Sequence, residues 1–80
     1  MTINVLAFGI AREIIENSFV NIELNDATTV GNLKIFLEKK YPALKKLGSY
    51  MIAVNNEYAE EQTIINVKDE VAIIPPVSGG

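Results

Sequence analysis

The stretch from Thr29 to Pro42 carries the strongest helical pattern in the chain, and it constrains what the remainder can become. Val30, Leu33, Phe36, Leu37 and Tyr41 recur at helical spacing, while Lys34, Glu38 and Lys39 take the other side. Thr29 stands where an N-cap belongs, with Asn32 three residues on in place of the Glu or Gln of a capping box. Lys39 and Lys40 lie near the negative end of the helix dipole, and Pro42 stops the helix by disfavouring α geometry at Tyr41. Gly31 weakens the pattern by about 1 kcal/mol relative to alanine without removing it. A stripe of this kind faces a core, and the other apolar runs are short enough to be the strands that cover it.

Ile3 to Phe8 alternates loosely and reads as a first strand, with Ile3, Val5 and Ala7 on one face and Asn4, Leu6 and Phe8 on the other. Gly9 breaks it, and Ala11 to Ile15 has room for a single helical turn before Glu16-Asn17-Ser18 turns the chain. Phe19 to Leu24 is a second strand, with Val20, Ile22 and Leu24 set against Asn21 and Glu23. Beyond the helix a connecting stretch runs to Gly48, and Tyr50 to Val54 is a third strand closed by Asn55-Asn56. Both asparagines tolerate the positive φ of a type I′ turn. Glu57 to Ala59 returns briefly, Gln62 to Ile65 reads as a loop or short helical turn, and Val71 to Ile74 is the last strand.

This order predicts an α+β fold with one main helix across a mixed sheet. The first and last strands are almost wholly apolar, so they are expected to lie parallel at its centre. If Ile3 and Val5 face the helix, Leu6 and Phe8 face outward; in the last strand Val71 and Ile73 face inward, Ala72 and Ile74 outward. Phe8 and Ile74 then meet on the outer face where the chain leaves its last strand. They form either a docking patch or a second small core under a loop.

The 80 residues make one domain, residues 1–74, followed by an extended tail, residues 75–80. Hydrophobic residues make up 49% and the mean hydropathy is +0.20, which is rich for a soluble domain and suggests an apolar patch kept for a partner. The net charge is −3, with acids concentrated at Glu57, Glu60, Glu61, Asp69 and Glu70. Nucleic acid is not an expected ligand, and a basic protein partner suits better. With no cysteine and no histidine, disulfides, zinc-finger ligands, thiol nucleophiles and imidazole bases are excluded. No apolar run approaches the length of a membrane span, and Met1-Thr2-Ile3-Asn4 lacks the basic start of a signal peptide, so a cytoplasmic location is expected.

Pro75 and Pro76 supply no N–H and favour a stiff, extended conformation, so the last strand must stop there. Val77 and Ser78 are small, and Gly79 and Gly80 lack a Cβ, which lets another backbone approach closely. Six extended residues at roughly 3.3 Å each reach about 20 Å. That length suffices to carry a terminal carboxylate into a partner's active site, although a frayed chain end has the same composition.

Together these residues resemble a known family. The order of elements is similar to the ubiquitin-like β-grasp, and the segments are similar to the small, sulfur-carrying subunit of molybdopterin synthase. The resemblance covers the whole chain. It rests on Phe8-Gly9 with Ala11-Arg12-Glu13, on Thr29-Val30-Gly31-Asn32-Leu33, on Ala53-Val54-Asn55, and on Asp69-Glu70-Val71-Ala72 leading into Pro75-Pro76-Val77-Ser78-Gly79-Gly80. Asn56 and Lys68 depart from it at turn positions where glycine is common.

The resemblance implies a carrier whose reactive group is the Gly80 carboxylate. Lacking cysteine, the chain cannot hold sulfur as a persulfide. A carboxylate is a poor electrophile, so the resemblance implies an acyl-adenylate made by an ATP-dependent, E1-like adenylyltransferase, then a thiocarboxylate formed with a sulfur donor. No bound cofactor is implied; ATP is consumed by the activating enzyme. The thiocarboxylate would pass its sulfur to a cyclic pyranopterin in the large catalytic subunit, in a heterotetramer. Phe8, Arg12, Ile74, Pro75, Pro76, Val77, Ser78 and Gly79 are the implied partner contacts. Arg12 with Glu13 also reads as a solvated pair worth under ~1 kcal/mol. Other classes remain open: a carrier for thiamine or tRNA thiolation, a ubiquitin-like modifier joining Gly80 to a lysine, or a binding module with an idle tail.

Overall fold

A computed structural model describes residues 2–24 and 28–76. In chain order these form β1 (Thr2–Ala7), α1 (Gly9–Ile15), β2 (Phe19–Glu23), β3 (Thr28–Thr29) and α2 (Val30–Lys40). A 3-10 helix (Pro42–Leu47), β4 (Met51–Val54), β5 (Glu57–Tyr58), β6 (Ile64–Ile65) and β7 (Val71–Ile74) follow. Five strands make one sheet in the order β2-β1-β7-β4-β5, and β3 pairs with β6 in a small second sheet. β1 and β7 are parallel, with Val5 opposite Val71, Leu6 opposite Ala72 and Ala7 opposite Ile73. The other pairings are antiparallel. This is the expected α+β arrangement, with the first and last strands side by side at its centre.

The core lies between the sheet and α2. Ile3, Val5, Ile22, Ile52, Val71 and Ile73 from the sheet meet Val30, Leu33 and Leu37 from α2, and all are buried. The strand faces follow the predicted alternation. Thr29 caps α2 as expected, accepting from the Asn32 amide at Oγ1, 3.2 Å away. The two amides before it are met by a neighbouring segment: Val30 N–H donates to the Thr63 carbonyl at 2.9 Å and Gly31 N–H to the Glu61 carbonyl at 2.8 Å. Gly31 makes this approach possible, because a Cβ there would stand 3.3 Å from the Glu61 carbonyl oxygen. Its cost in helix propensity is offset by the docked turn that precedes β6.

Several local expectations are corrected. Ala11 to Ile15 is not a single turn but part of a seven-residue helix starting at Gly9, in which Ala11 and Ile15 share a buried face at i, i+4 spacing. The connection to Gly48 contains a 3-10 helix; Pro42 presets its φ, and buried Leu44 and half-buried Leu47 lie three apart, matching its period. Ile64 and Ile65 form a strand rather than a loop or helical turn, because β3 offers a pairing partner that local sequence does not reveal. Phe36 is 39% exposed rather than core, as it sits about 100° round the axis from Leu37, at the margin of the stripe. The Asn55-Asn56 turn is as expected, with φ of 54° and 70°.

Candidate functional site

The outward face of the large sheet carries an apolar row that crosses all five strands. Register places Phe19 beside Leu6, Leu6 beside Ala72, Ala72 beside Ala53 and Ala53 beside Tyr58, in one continuous row. Met51 stands opposite Ile74 at the end of β7. Phe8 is 49% exposed, Met51 47% and Tyr58 67%, so this face is covered by nothing within the described residues. Leu6, Phe8, Ala53, Tyr58, Ala72 and Ile74 line an open concavity of about 490 Å³, with Asn56 and Glu70 adding polar groups. Phe8 and Ile74 are therefore brought together on the outer face. Of the two readings, the second small core does not fit the described residues, among which no loop covers Phe8.

The chain leaves this face at Pro75. Pro75 is half-buried and Pro76 exposed. Pro75 packs on Gly9, where an added Cβ would lie 3.0 Å from Pro75 Cγ, and Gly9 has φ of 55°. Phe8, just before it, is extended and forms the N-cap of α1, so the outer-face alternation of β1 continues through Phe8 before the backbone turns. Arg12 is exposed on α1 and lies outside the lining of the concavity. Its backbone carbonyl accepts from the amides of Glu16 and Asn17 and so closes the helix. Val77, Ser78, Gly79 and Gly80, the remaining residues expected to act, lie outside the described residues.

Two polar clusters brace the sheet. Asn55 Nδ2 donates to Asp69 Oδ1 at 2.9 Å, and its Oδ1 accepts from the Glu70 amide at 2.9 Å. The Asn66 amide donates to Asp69 Oδ2 at 2.8 Å. The Asn66 amide, and then the Asn55 side chain, hold the Asp69 carboxyl below its ordinary value. On the helix side, buried Tyr50 donates its hydroxyl to Glu38 Oε2 at 2.6 Å, with Lys34 Nζ 4.8 Å from its ring centroid. Burial, and then the hydrogen bond and charge of Glu38, push the Tyr50 phenol well above its ordinary value.

The sequence pattern alone left out Phe19, Met51 and Tyr58 as members of the outer face, although Phe19 and Met51 stand in its alternation phase. It also left out the packing of Pro75 on Gly9. Among the described residues no group of His, Cys, Asp or Glu side chains is arranged to hold a metal ion. No helix among them is long and apolar enough to cross a membrane.

Known proteins share this arrangement. The molybdopterin synthase sulfur carrier subunit of Mycobacterium tuberculosis is 41% identical over 80 residues, covering 98% of this chain and 96% of that protein. The structure of small archaeal modifier protein 1 from Methanosarcina acetivorans superposes with a TM-score of 0.81 at 26% identity, covering 99% of this chain and 96% of the other. A chain of the complex of subunits 1 and 2 of molybdopterin-converting factor from Helicobacter pylori does so with a TM-score of 0.69 at 27% identity, covering both chains fully. The fold is thus the ubiquitin-like β-grasp. The ThiS family matches residues 5–80, from the first strand through the glycine pair, and the chain belongs to that family.

Proposed function

We propose that this chain is the sulfur carrier of molybdopterin synthase, acting through the carboxylate of Gly80. The observation that carries the reading is the adjacency of the apolar face to the tail: Ile74 lines the concavity with Phe8, and Pro75 is the next residue. A partner gripping that face receives the tail beside it. The exposed aromatic and aliphatic side chains supply the kind of desolvated anchor that dominates protein interfaces. This partner is the large catalytic subunit, in a heterotetramer.

Chemistry at Gly80 proceeds by activation. Attack of the carboxylate on ATP releases pyrophosphate and leaves an acyl-adenylate, formed on an E1-like adenylyltransferase. A sulfur donor at the oxidation level of sulfide displaces AMP and leaves a thiocarboxylate. Its sulfur attacks a side-chain carbon of the cyclic pyranopterin and displaces an oxygen substituent from it; hydrolysis of the resulting thioester leaves sulfur on the pterin and restores the carboxylate. The outer face offers no histidine or cysteine for these proton transfers, so the partner enzymes supply them. Arg12, exposed on α1, is a contact to one of those partners. Unchanged affinity of Arg12→Ala for both would remove it from the interface.

Whole-protein mass after incubation with the activating enzyme, ATP and a sulfur donor tests the proposal. Replacement of one oxygen by sulfur is expected. The likeness to a small archaeal modifier protein supports a second reading, in which Gly80 forms an amide with a lysine of a target. A ladder of larger adducts would favour that reading, and an unchanged mass would reject both. The 41% identity to a sulfur carrier, against 26% to the modifier, favours the carrier.

A further inference from the structure

We propose that Gly9 is a positioning residue for sulfur transfer, setting the point and direction at which the tail leaves the body. The proposal rests on the carrier reading above. β1 and β7 run parallel in strict register from Val5 and Val71 to Ala7 and Ile73, and continuing that register sets Phe8 beside Ile74 and Gly9 beside Pro75. At Gly9 the backbone turns out of the strand into α1, with φ of 55°, a region L side chains rarely adopt. That turn clears the space the Pro75 ring occupies. A Cβ on Gly9 would lie 3.0 Å from Pro75 Cγ, inside the 3.5–4.0 Å at which carbon pairs are most comfortable.

Strand β7 cannot absorb the displacement. Ile74 is paired opposite Met51, and Ile73 is buried between β1 and β4. Pro75 must therefore move, by a few tenths of an ångström, and Pro76 follows it. Paired prolines are stiff, so the rotation is passed on rather than lost at once. A shift of that size across one ring is a rotation of about 5° in the direction in which Pro75 and Pro76 leave the strand. Misplacement of a reacting atom by 1 Å can slow a reaction about 100-fold.

The test compares Gly9→Ala, Pro75→Ala and the double variant. With the thiocarboxylated protein and the large subunit, Gly9→Ala is expected to slow sulfur transfer at saturation about tenfold or more. Its dissociation constant from the large subunit should stay within about threefold, since Phe8 and Ile74 remain. Pro75→Ala alone, which loosens the tail, should slow transfer about two- to threefold. The double variant should recover to that level, because the obstructed ring is gone while the φ of residue 9 is unchanged. A double variant as slow as Gly9→Ala would assign the effect to backbone strain and overturn the proposal, as would a fully active Gly9→Ala. A partner-free measurement separates this from failure of the carrier reading. The residual dipolar coupling of the Val77 amide, measured against the body, should change in Gly9→Ala and revert in the double variant. If the wild type is never thiolated the carrier reading fails, and an unchanged Val77 coupling would then overturn the positioning role as well.

Discussion

Asn55 donates from Nδ2 to Oδ1 of Asp69 across 2.9 Å, tying the β4–β5 turn to the turn that leads into β7. The pairing is reciprocal along the backbone, for the Asn55 amide donates to the Glu70 carbonyl at 2.8 Å and the Glu70 amide returns to Asn55 Oδ1. Two strands that are neighbours in the sheet are thus pinned just before β7 begins. An asparagine at a positive φ does both jobs: it shapes the turn and supplies the amide that holds the second one.

Acid should loosen this pin. The folded-state pKa of Asp69 is lowered, so its contribution is fully present above the unfolded value of about 3.9 and is lost as pH falls through the folded value. The expected outcome is a loss of stability below about pH 4 that Asp69→Asn reduces. Equilibrium urea unfolding at stepped pH measures it. Equal acid sensitivity in both proteins would remove Asp69 from the cause.

Base should act through Tyr50, with the opposite sense. Its folded-state pKa is raised, so its contribution is present below the unfolded value of about 10 and is lost as pH rises through the folded one. Tyr50→Phe should cost about 1 kcal/mol at neutral pH, because the bond to Glu38 is charge-assisted but Glu38 is half-exposed. The variant should also lose part of the alkaline destabilisation. A variant equally stable at neutral pH would mean water replaces the hydroxyl without cost.

Much of this molecule is readable from local pattern, and the exceptions share one cause. Alternation placed Val5 inside and Phe8 outside because a strand's two faces differ by a single residue, and no distant partner is needed to see it. Helical spacing likewise placed Leu33 and Leu37 in the core. Ile64 and Ile65 were opaque, since two residues have no period and their strand exists only through Thr28 and Thr29. The role of Gly9 was opaque too. Its neighbour Pro75 lies at the far end of the chain, and only the β1–β7 pairing brings them together. Of the site, the pair Phe8 and Ile74 was legible, whereas Tyr58 joins it through a hairpin register that the sequence does not state.

Gly79→Ala tests the tail apart from the body. If the tail threads a narrow channel in the partner, a single Cβ obstructs it. The melting temperature should be unchanged and most sulfur transfer lost. Full activity would show that the channel is roomy at that point and that glycine is not required there.

Phe8→Ala tests the face. Phe8 is 49% exposed and lines the concavity with Leu6, Ala72 and Ile74, so truncation removes surface that in the free protein is already half in water. The cost to folding should be well below the roughly 3–5 kcal/mol of a buried Phe→Ala change. Burial against a partner is another matter: an aromatic anchor at the centre of an interface contributes about 2 kcal/mol or more when truncated. Affinity for the large subunit should therefore fall about thirtyfold, measured by calorimetry on the unmodified protein, with the urea midpoint nearly constant. Ile73→Ala supplies the opposite pattern, because Ile73 is fully buried on the inner face of the neighbouring strand β7: folding should weaken by roughly 2–5 kcal/mol. A Phe8→Ala protein that unfolds as readily as Ile73→Ala, yet binds normally while folded, would place Phe8 in the core and leave the outer face without its anchor.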